Sequence, residues 1–120
     1  MQNKSYVVKG TSENQINLLG AFFIKPNFPG RCSHICNAGF IVKPEWQGQG
    51  VGRFMAETML QIAVNLEYKA VMLNLVFETN IPSVRLWESL GFDIIGRIPQ
   101  GVLLKSGQMV DALMMYRPIG

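Results

Sequence analysis

The sequence predicts an α+β (α/β) domain, a mixed β-sheet with flanking helices, in a chain of 120 residues. Two observations carry this prediction. The apolar segments before residue 43 are separated by short turn-rich stretches and are spaced like an antiparallel meander. After residue 50 the apolar residues recur at three- and four-residue steps, as in an amphipathic helix. The expected order of elements is β-β-β-α-β-α-β-β, which differs from a doubly wound dinucleotide-binding fold.

The first three strands are predicted at residues 5–9, 16–25 and 33–42. A turn is expected at 10–14, which reads Gly-Thr-Ser-Glu-Asn, and a loop at 26–30, which reads Pro-Asn-Phe-Pro-Gly, because such residues favour turns. Aromatic and β-branched residues favour the strand conformation in the second segment. Because the connections are short, the three strands are expected to pair in sequence order.

The second half of the chain is predicted to alternate helices and strands. A helix is expected over 51–67 and a strand at 70–77, whose nearly unbroken apolar run is typical of burial on both faces. A second helix opens at 80–83, with proline near its first turn, and ends at 90–92, where a glycine can take the left-handed cap position. The last two strands are expected at 92–98 and 109–116, joined through Pro99-Gln100-Gly101 and Ser106-Gly107.

Composition and charge exclude several classes of function. The chain is long enough for a single domain over residues 1–120, with 48% hydrophobic residues. The net charge is +3, which suits a polyanionic small ligand, but no basic run is interleaved with aromatics, so no nucleic-acid partner is expected. No apolar stretch reaches about 18 residues and no signal-peptide core follows the N-terminus. We therefore expect no membrane partner and a cytoplasmic, intracellular protein, with the mitochondrion and the nucleus left open.

The two cysteines flank a histidine, which raises the question of a metal site. Cys32, His34 and Cys36 would share one face if their segment were a strand. Their spacing matches no common zinc pattern, and the chain has no further cysteine or histidine to complete a tetrahedral site. We expect two reduced thiols, an ordinary histidine and no metal.

Three glycines stand between the third strand and the first helix. Gly48, Gly50 and Gly52 would let the backbone approach a ligand closely, and the first N–H groups of a helix have no partners within the helix. The helix dipole and Arg53 add positive charge, so the stretch predicts a phosphate or pyrophosphate site. It lacks the Gly-Lys-Ser/Thr ending of a nucleotide-binding P-loop. A plain strand-to-helix turn is the alternative.

Two motifs at this spacing resemble the GNAT superfamily of N-acetyltransferases. The first is Gln47-x-x-Gly50-x-Gly52, and the second joins Asn80 to the segment 86–92. In that superfamily a Gln/Arg-x-x-Gly-x-Gly/Ala turn holds the pyrophosphate of acetyl-CoA. The resemblance covers residues 16–117 and implies a splayed sheet, with the pantetheine arm between the strands that end at Val42 and Phe77. The cofactor-binding residues it implies for acetyl-CoA or CoA are Phe40, Ile41, Val42, Gln47, Gly48, Gln49, Gly50, Val51, Gly52, Arg53 and Asn80.

A narrower resemblance points to the acceptor. Residues 36–40, 72–80 and 85–88 are similar to the fungal acetyltransferases that act on proline analogues such as azetidine-2-carboxylate. It implies that Asn37 and Asn74 bind the carboxylate of an amino acid and that Asn80 lies near the reacting carbon. Asn74 also stands out by itself, because an amide within an apolar run must find hydrogen-bond partners or cost about 1–3 kcal/mol. An amide bonded to a neighbouring backbone group at the splay is the alternative.

The resemblance leaves the acid and the base of the reaction open. Backbone N–H groups at 40–42 are expected to bind the thioester oxygen. Many superfamily members use a tyrosine as the acid at the position of Trp87, but an indole N–H donates a hydrogen bond without being a practical acid. We expect Trp87 to contact substrate. Glu78 is the candidate base, with Asn80 as its catalytic neighbour, and His34 acting through water or a water relay to solvent are alternatives.

Two classes of function follow. The first is an acetyl-CoA-dependent N-acetyltransferase that modifies the amine of a small molecule, such as an amino acid or a proline analogue. The second is a non-catalytic CoA-binding module with a regulatory or assembly role. Acetyl-CoA turnover with proline analogues discriminates between them.

The start of the chain bears on assembly. Superfamily domains usually begin with a strand and one or two helices before the meander, whereas this sequence starts nearly at the meander. We therefore expect either the C-terminal part of a longer protein or a site that a partner chain completes. Sheet surface left uncovered in this way predicts a homodimer through the meander or the last two strands. The aromatic residues in the affected strands and loop are Phe22, Phe23, Phe28 and Phe40.

Overall fold

The computed structural model describes residues 3–12 and 15–119. Within them the chain forms one six-stranded sheet and two α-helices. The predicted order of elements is confirmed. The elements are β1 (Lys4–Ser12), β2 (Gln15–Pro26), β3 (Ile35–Val42), α1 (Val51–Asn65), β4 (Ala70–Phe77), α2 (Ile81–Ser89), β5 (Asp93–Leu103) and β6 (Met109–Pro118). Short 3₁₀ turns at Gly30–Cys32 and Pro44–Trp46 precede and follow β3.

The sheet is mixed and opens in its middle. Its strand order is β1-β2-β3-β4-β6-β5, and β1, β2 and β3 pair antiparallel as a meander. The central pair, β3 and β4, is parallel, and its register comprises two residue pairs, Ile35 with Ala70 and Cys36 with Val71. Because β3 continues to Val42 and β4 to Phe77, the two strands run on beyond their pairing. The expected splayed sheet is confirmed.

Both helices contribute to one core. The inner face of α1 buries Met55, Ala56, Met59, Leu60 and Ala63. Of the apolar residues that the helical period selects, Met55, Met59 and Ala63 are buried as expected, whereas Phe54 is 57% exposed. The buried side chains form a cluster with residues of β2, β3, β4, α2 and β6. Fully burying an aliphatic side chain of this kind contributes roughly 1.5–3 kcal/mol. The apolar stripe of α1 therefore fixes the helix over the meander, and with it the turn that begins the helix.

The opposite face of the meander carries exposed apolar side chains. Val7 and Ile41 alternate with the buried residues of their strands, and 72% of Ile41 is exposed. The ring of Phe23 lies across Gly39 on the neighbouring strand, where a Cβ would clash with it. The prediction for the aromatic residues was wrong for Phe22, which is buried in the core.

Phe40 also departs from that prediction, because it is partly buried and packs against the core cluster. The other two aromatic residues, Phe23 and Phe28, are exposed as expected. The difference follows from strand alternation, since Phe22 and Phe40 are register partners on the inner face and Phe23 points outward.

The first strand is longer than predicted. Residues 10–12, expected in a turn, pair with Asn17, Ile16 and Gln15 and extend β1. Residues 13 and 14 of that expected turn lie outside the described residues. A shift of register between Val8 and Lys9 absorbs the mismatch between the two strands. Strand pairing thus outweighs the turn preference of these residues.

Strand β5 is also longer than predicted, and it continues through residues 99–101. Its pairing with β6 shifts register between Ile98 and Val102, and Gln100 has a φ of 51°. The N–H of Gln100 donates to Oδ1 of Asp111 at 2.9 Å. Since β5 lies at the edge of the sheet, a bulge can hold a proline that lacks the N–H of a regular ladder.

The cysteine segment differs from the expected strand. Cys32 ends the 3₁₀ turn and β3 begins only at Ile35, so Cys32, His34 and Cys36 do not share a strand face. Cys32 is exposed and Cys36 is buried. Burial raises the pKa of the Cys36 thiol to about 12.

The two thiols are therefore expected to differ sharply in reactivity. At pH 8 a group with a pKa near 12 is ionised in only about one molecule in 10⁴, and the thiolate is the reactive form. We expect an aromatic disulfide reagent to modify one thiol per folded chain, at Cys32, and the second only after denaturation. Peptide mapping of the modified residue checks this. Equal native rates for both cysteines would contradict the buried position of Cys36.

Candidate functional site

A cavity of about 750 Å³ lies where β3 and β4 separate. Its walls come from both strands, the glycine turn before α1, and the first turns of α2. The lining is largely apolar and includes Trp46 and Trp87, and its polar residues are Gln47, Asn74, Asn80 and Ser83. A cleft of this size with few convergent polar groups is the usual form of a small-molecule site.

The glycine turn has the backbone that its composition predicts. Gly48 and Gly50 have φ angles of 78° and 83°, in the left-handed region that favours glycine. A Cβ at either position, or at Gly52, would meet no atom within 4 Å, so the turn faces open space. Gly48 and Gly52 line the cavity.

The start of α1 leaves backbone donors free for a ligand. The N–H of Phe54 donates to the carbonyl of Gly50 at 3.0 Å. The N–H groups of residues 51–53 precede this bond and have no acceptor one helical turn earlier. Together with the helix dipole they make the end of the cavity favourable to an anion.

The polar side chains of the turn tie it to the rest of the fold. Gln47 donates to the carbonyl of Val42 at 3.4 Å, and Gln49 to that of Glu45 at 3.2 Å. Arg53 donates to Oγ of Ser89 at 2.7 Å and forms an ion pair with Glu57 at 3.4 Å. The predicted cation thus lies on the first turn of α1 and connects that helix to α2.

The structure brings two of the three predicted asparagines to the cavity. Asn80 is the N-cap of α2, where its Oδ1 accepts from the N–H of Ser83 at 3.3 Å. Asn74 lies between Leu73 and Val76, where the pairing of β4 with β6 shifts register. Such a bulge re-aims a side chain, which explains how an amide in an apolar strand reaches the cavity.

Asn37 is not among the described residues that line the cavity. It stands opposite Lys25 in the meander, whereas Ala38 and Phe40 of the same strand are lining residues. The side chain of Ile41 likewise points outward, and the residue pairs with Ala21 of β2. The amide of Asn74 was expected to need hydrogen-bond partners, and the structure shows that its partner is the side-chain amide of Asn27. The composition of the loop at 26–30 predicts a turn, and nothing in it indicates that Asn27 contacts Asn74.

Glu78 lies in a charged cluster outside the cavity lining. Its carboxylate pairs with Arg97 and accepts from the N–H of Asp111 at 3.4 Å. Arg97 also contacts Asp111 at 3.0 Å. The N–H of Gln100 and then the guanidinium of Arg97 hold the pKa of Asp111 below its usual range. This geometry gives Glu78 a structural contact at the end of β4, and its role as a base stays a prediction.

Trp87 forms the wall of the cavity on α2. Its ring lies 5.2 Å from that of Phe40 and 5.2 Å from that of Phe92, in tilted and edge-on arrangements. Only 6% of Trp87 is exposed. The stack joins α2 to β3 on one side of the cavity, so Trp87 contributes to the core and to the site together.

The remaining candidates lie elsewhere. Nδ1 of His34 lies 3.1 Å from the carbonyl oxygen of Arg31, in the turn before β3 and away from the cavity lining. Over residues 3–12 and 15–119, no group of three or more His, Cys, Asp or Glu side chains could hold a metal ion. Neither helix of the described chain is long and apolar enough to cross a bilayer.

Among the described residues, the sheet opens at its parallel pair, β3 and β4, and the glycine turn and the start of α1 lie beside the opening. This is the splayed mixed α/β fold that the glycine-turn motif and the Asn80 motif predicted. The model of the Acetyltransferase (GNAT) family matches residues 2–92. The chain belongs to the GNAT family of acetyltransferases.

Individual relatives agree with this assignment. The N-acetyltransferase aca1 of Schizosaccharomyces pombe is 52% identical over 97 residues, which are 80% of this chain and 46% of that protein. A GCN5-related N-acetyltransferase structure from Kribbella flavida is 37% identical with a TM-score of 0.80, covering 84% of this chain and 60% of that one. The phosphinothricin acetyltransferase of Sinorhizobium meliloti, solved in complex with acetyl-CoA, shares the fold at 18% identity with a TM-score of 0.77, covering 86% of this chain and 55% of that one. The chain thus spans about half the length of the curated relative.

Proposed function

We propose that this chain binds acetyl-CoA in the cavity between β3 and β4 and transfers its acetyl group to the amine of a small molecule. The observation that carries the proposal is the continuity of the open β3–β4 pair with the glycine turn of α1. One end of the cavity offers N–H groups to an anion, and the other offers unpaired strand edges to an extended chain. A ligand with a pyrophosphate joined to an extended pantetheine arm complements both ends of the cavity.

The edge of β3 is the part of the site that would bind the arm. Past Cys36 the register with β4 ends, so the backbone groups that β3 directs into the gap have no strand partner there. An extended ligand with amide groups can bond such an edge as an added strand would. The N–H of Lys43 donates to the carbonyl of Leu19 on β2, and alternation along β3 directs the N–H of Ile41 to the same side and those of Phe40 and Val42 toward the gap. We assign the N–H groups of Phe40 and Val42 to the thioester oxygen and those of 48–53 to the pyrophosphate, with Gln47, Gln49 and Arg53 supporting the turn.

The thioester supplies an activated acetyl carbonyl. The protein orients the thioester and the amine toward each other and lets water reach them. Acetyl transfer needs a neutral amine, a donor for the carbonyl oxygen and a proton for the departing thiolate. The described lining residues include no carboxylate, histidine or tyrosine. We therefore assign proton transfer to water held by polar groups such as Asn80. Glu78 stays the candidate base from the sequence, and protons would reach it through water.

For the acceptor we propose an amino acid or a proline analogue. The narrower resemblance supports this choice, and a fungal N-acetyltransferase shares 52% identity with the chain. Asn74, Asn80 and Trp87 line the cavity, which supports the acceptor contacts that we propose for them. Asn37 does not line the cavity, so its contact with a carboxylate stays a prediction.

Turnover of acetyl-CoA tests the proposal directly. In the presence of azetidine-2-carboxylate or proline, we expect the chain to release CoA from acetyl-CoA. The CoA is measured by chromatography, because Cys32 is exposed and would itself react with thiol dyes. A diamine without a carboxylate serves as the control acceptor. Tight acetyl-CoA binding with no turnover on any amine would favour the non-catalytic CoA-binding module, whereas absence of CoA binding would contradict both functions.

We also propose that the chain forms a homodimer. Exposed apolar residues stand on the outer face of the meander, such as Val7 and Ile41, and along the edge strand β5, such as Ile95 and Leu103. Contiguous patches of this kind usually mark interfaces. Sedimentation at micromolar concentration should show a dimer that salt weakens little, because screening acts on charges. A monomer whose meander is fully protected from hydrogen exchange would contradict this proposal.

A further inference from the structure

The side chains of Asn27 and Asn74 form a reciprocal amide pair beside the cavity. Nδ2 of Asn74 donates to Oδ1 of Asn27 at 2.7 Å, and Nδ2 of Asn27 donates to Oδ1 of Asn74 at 3.1 Å. Asn27 directly follows β2 and is anchored by its own N–H, which donates to the carbonyl of Ile35 at 2.8 Å. Since β3 stands between β2 and β4, the pair links two strands that are not neighbours, at the level where the sheet opens.

The chemistry of the amide group explains what this pair does. A primary amide has two N–H donors and two acceptor lone pairs, and the reciprocal pair uses one of each on both partners. If the amide of Asn74 turned over alone, nitrogen would face nitrogen and oxygen would face oxygen, and both bonds would be lost. The partner therefore decides the orientation of Asn74. One N–H and one lone pair of Asn74 stay available.

Asn74 is the member of the pair that lines the cavity, among apolar neighbours such as Leu73 and Val76, whereas Asn27 is not a lining residue. Both side chains are partly buried. An amide that is already held in one orientation loses less conformational entropy when a ligand binds than a freely rotating one, and it therefore contributes more to the binding free energy.

We infer that Asn27 is a positioning residue for the acceptor: it holds the Asn74 amide so that the remaining donor of Asn74 meets an oxygen of the bound amine substrate. The inference rests on the proposed function. Asn27 acts through Asn74 alone, so its effect must disappear when Asn74 is absent, and it must concern the acceptor and leave acetyl-CoA unaffected.

Kinetics of single and double variants test this dependence. With azetidine-2-carboxylate as the acceptor, Asn27→Ala should raise the acceptor KM about tenfold or more, with kcat within about threefold and an unchanged KM for acetyl-CoA. Adding Asn27→Ala to Asn74→Ala should change nothing further. The matched control is Asn65→Ala, which removes a side-chain amide bond of 3.3 Å with Gln61 on the exposed end of α1. An unchanged KM in Asn27→Ala, or additive losses in the double variant, would overturn the inference.

A second variant and a second measurement keep the test decisive. Asn27→Asp preserves the size of the side chain and accepts from Nδ2 of Asn74, so it should fold even if the alanine variant does not. It cannot return a bond to Oδ1, and the acceptor KM should still rise. In the free protein, NMR should show the side-chain amide protons of Asn74 exchanging about tenfold faster in Asn27→Ala, which removes their acceptor, and nearly unchanged in Asn27→Asp, which keeps it.

The two proposals fail in different ways. A wild-type chain that binds acetyl-CoA without turnover contradicts the proposed function, and the NMR measurement then decides the pairing by itself. Unchanged exchange at Asn74 in folded Asn27→Ala shows that Asn27 does not hold the amide, and this overturns the inference whatever the activity. If Asn27→Ala does not fold, an unchanged acceptor KM in Asn27→Asp overturns it.

Discussion

Replacing Gly50 with valine is expected to weaken acetyl-CoA binding about tenfold or more, which is about 1.4 kcal/mol. The backbone of Gly50 has a φ of 83°, where a β-branched residue is strained, and left-handed geometry costs an ordinary residue roughly 1–2 kcal/mol. The turn would relax away from this geometry and misdirect the N–H groups that follow it. The new side chain would also occupy the open space in front of the turn. Calorimetric titration of the folded variant with acetyl-CoA gives the affinity.

Two control variants separate strain from ligand contact. Gly107, between β5 and β6, has a φ of 89° and equally open space around its missing side chain. Gly107→Val should therefore lower stability much as Gly50→Val does, while acetyl-CoA affinity stays unchanged. Gly52→Ala places a small side chain at a position without a positive φ, where the superfamily turn accepts alanine, and should bind normally. An unchanged affinity in folded Gly50→Val would remove the turn from the site.

The order of strands and helices could be predicted because each element carries its own periodicity. The apolar residues of α1 repeat at helical spacing, which predicted the helix and its buried residues Met55, Met59 and Ala63, although Phe54 of the same stripe is exposed. The apolar run of β4 predicted a central strand buried on both faces, and β4 is central, but Leu75 and Phe77 are exposed because the sheet opens beside them and they line the cavity. Signals of this kind are local, so they are visible in a short window of sequence.

The opening of the sheet has no such local signal. β3 and β4 share two residue pairs and then separate, yet nothing in the apolar pattern of either strand marks where the pairing ends. The splay was predicted only through the resemblance of the glycine turn and the second helix to a known superfamily. The bulge that turns Asn74 toward the cavity depends on the register with β6, which periodicity does not fix.

Contacts between distant segments account for the other differences. Asn27 and Asn74 are 47 residues apart, and Glu78, just after β4, pairs with Arg97 of β5, which also contacts Asp111 of β6. A carboxylate near a strand end is a reasonable candidate base in the sequence, but only the fold shows that a guanidinium already occupies it. The length of β5 is likewise not local, since Gln100 within it donates to Asp111 of β6, eleven residues further along the chain.

Substitutions of Trp87 are expected to lower stability strongly when the ring is removed and to change kcat little when another aromatic ring replaces it. Truncation to alanine removes the centre of the Phe40–Trp87–Phe92 stack and should lower the free energy of unfolding by about 3–5 kcal/mol, as is usual for a buried large aromatic. Urea unfolding measures this loss. Phe28→Ala, at an exposed aromatic in the loop after β2, is the control and should cost less than about 1 kcal/mol. A loss for Trp87→Ala that is no larger than the control would show that the stack does not support the fold.

Trp87→Phe tests the chemical role of the same side chain. Phenylalanine keeps much of the ring packing and removes the indole N–H, which donates a hydrogen bond but does not ionise as an acid. If protons reach the departing thiolate through water, kcat should stay within about tenfold of the wild type, and the pH dependence of kcat should keep its shape. The rate is measured as CoA release between pH 6 and pH 9, with Trp87→Tyr as a companion variant that restores an ionisable group at this position. A fall in kcat of about a hundredfold or more in Trp87→Phe, recovered in Trp87→Tyr, would mean that the side chain on this wall of the cavity takes part in proton transfer.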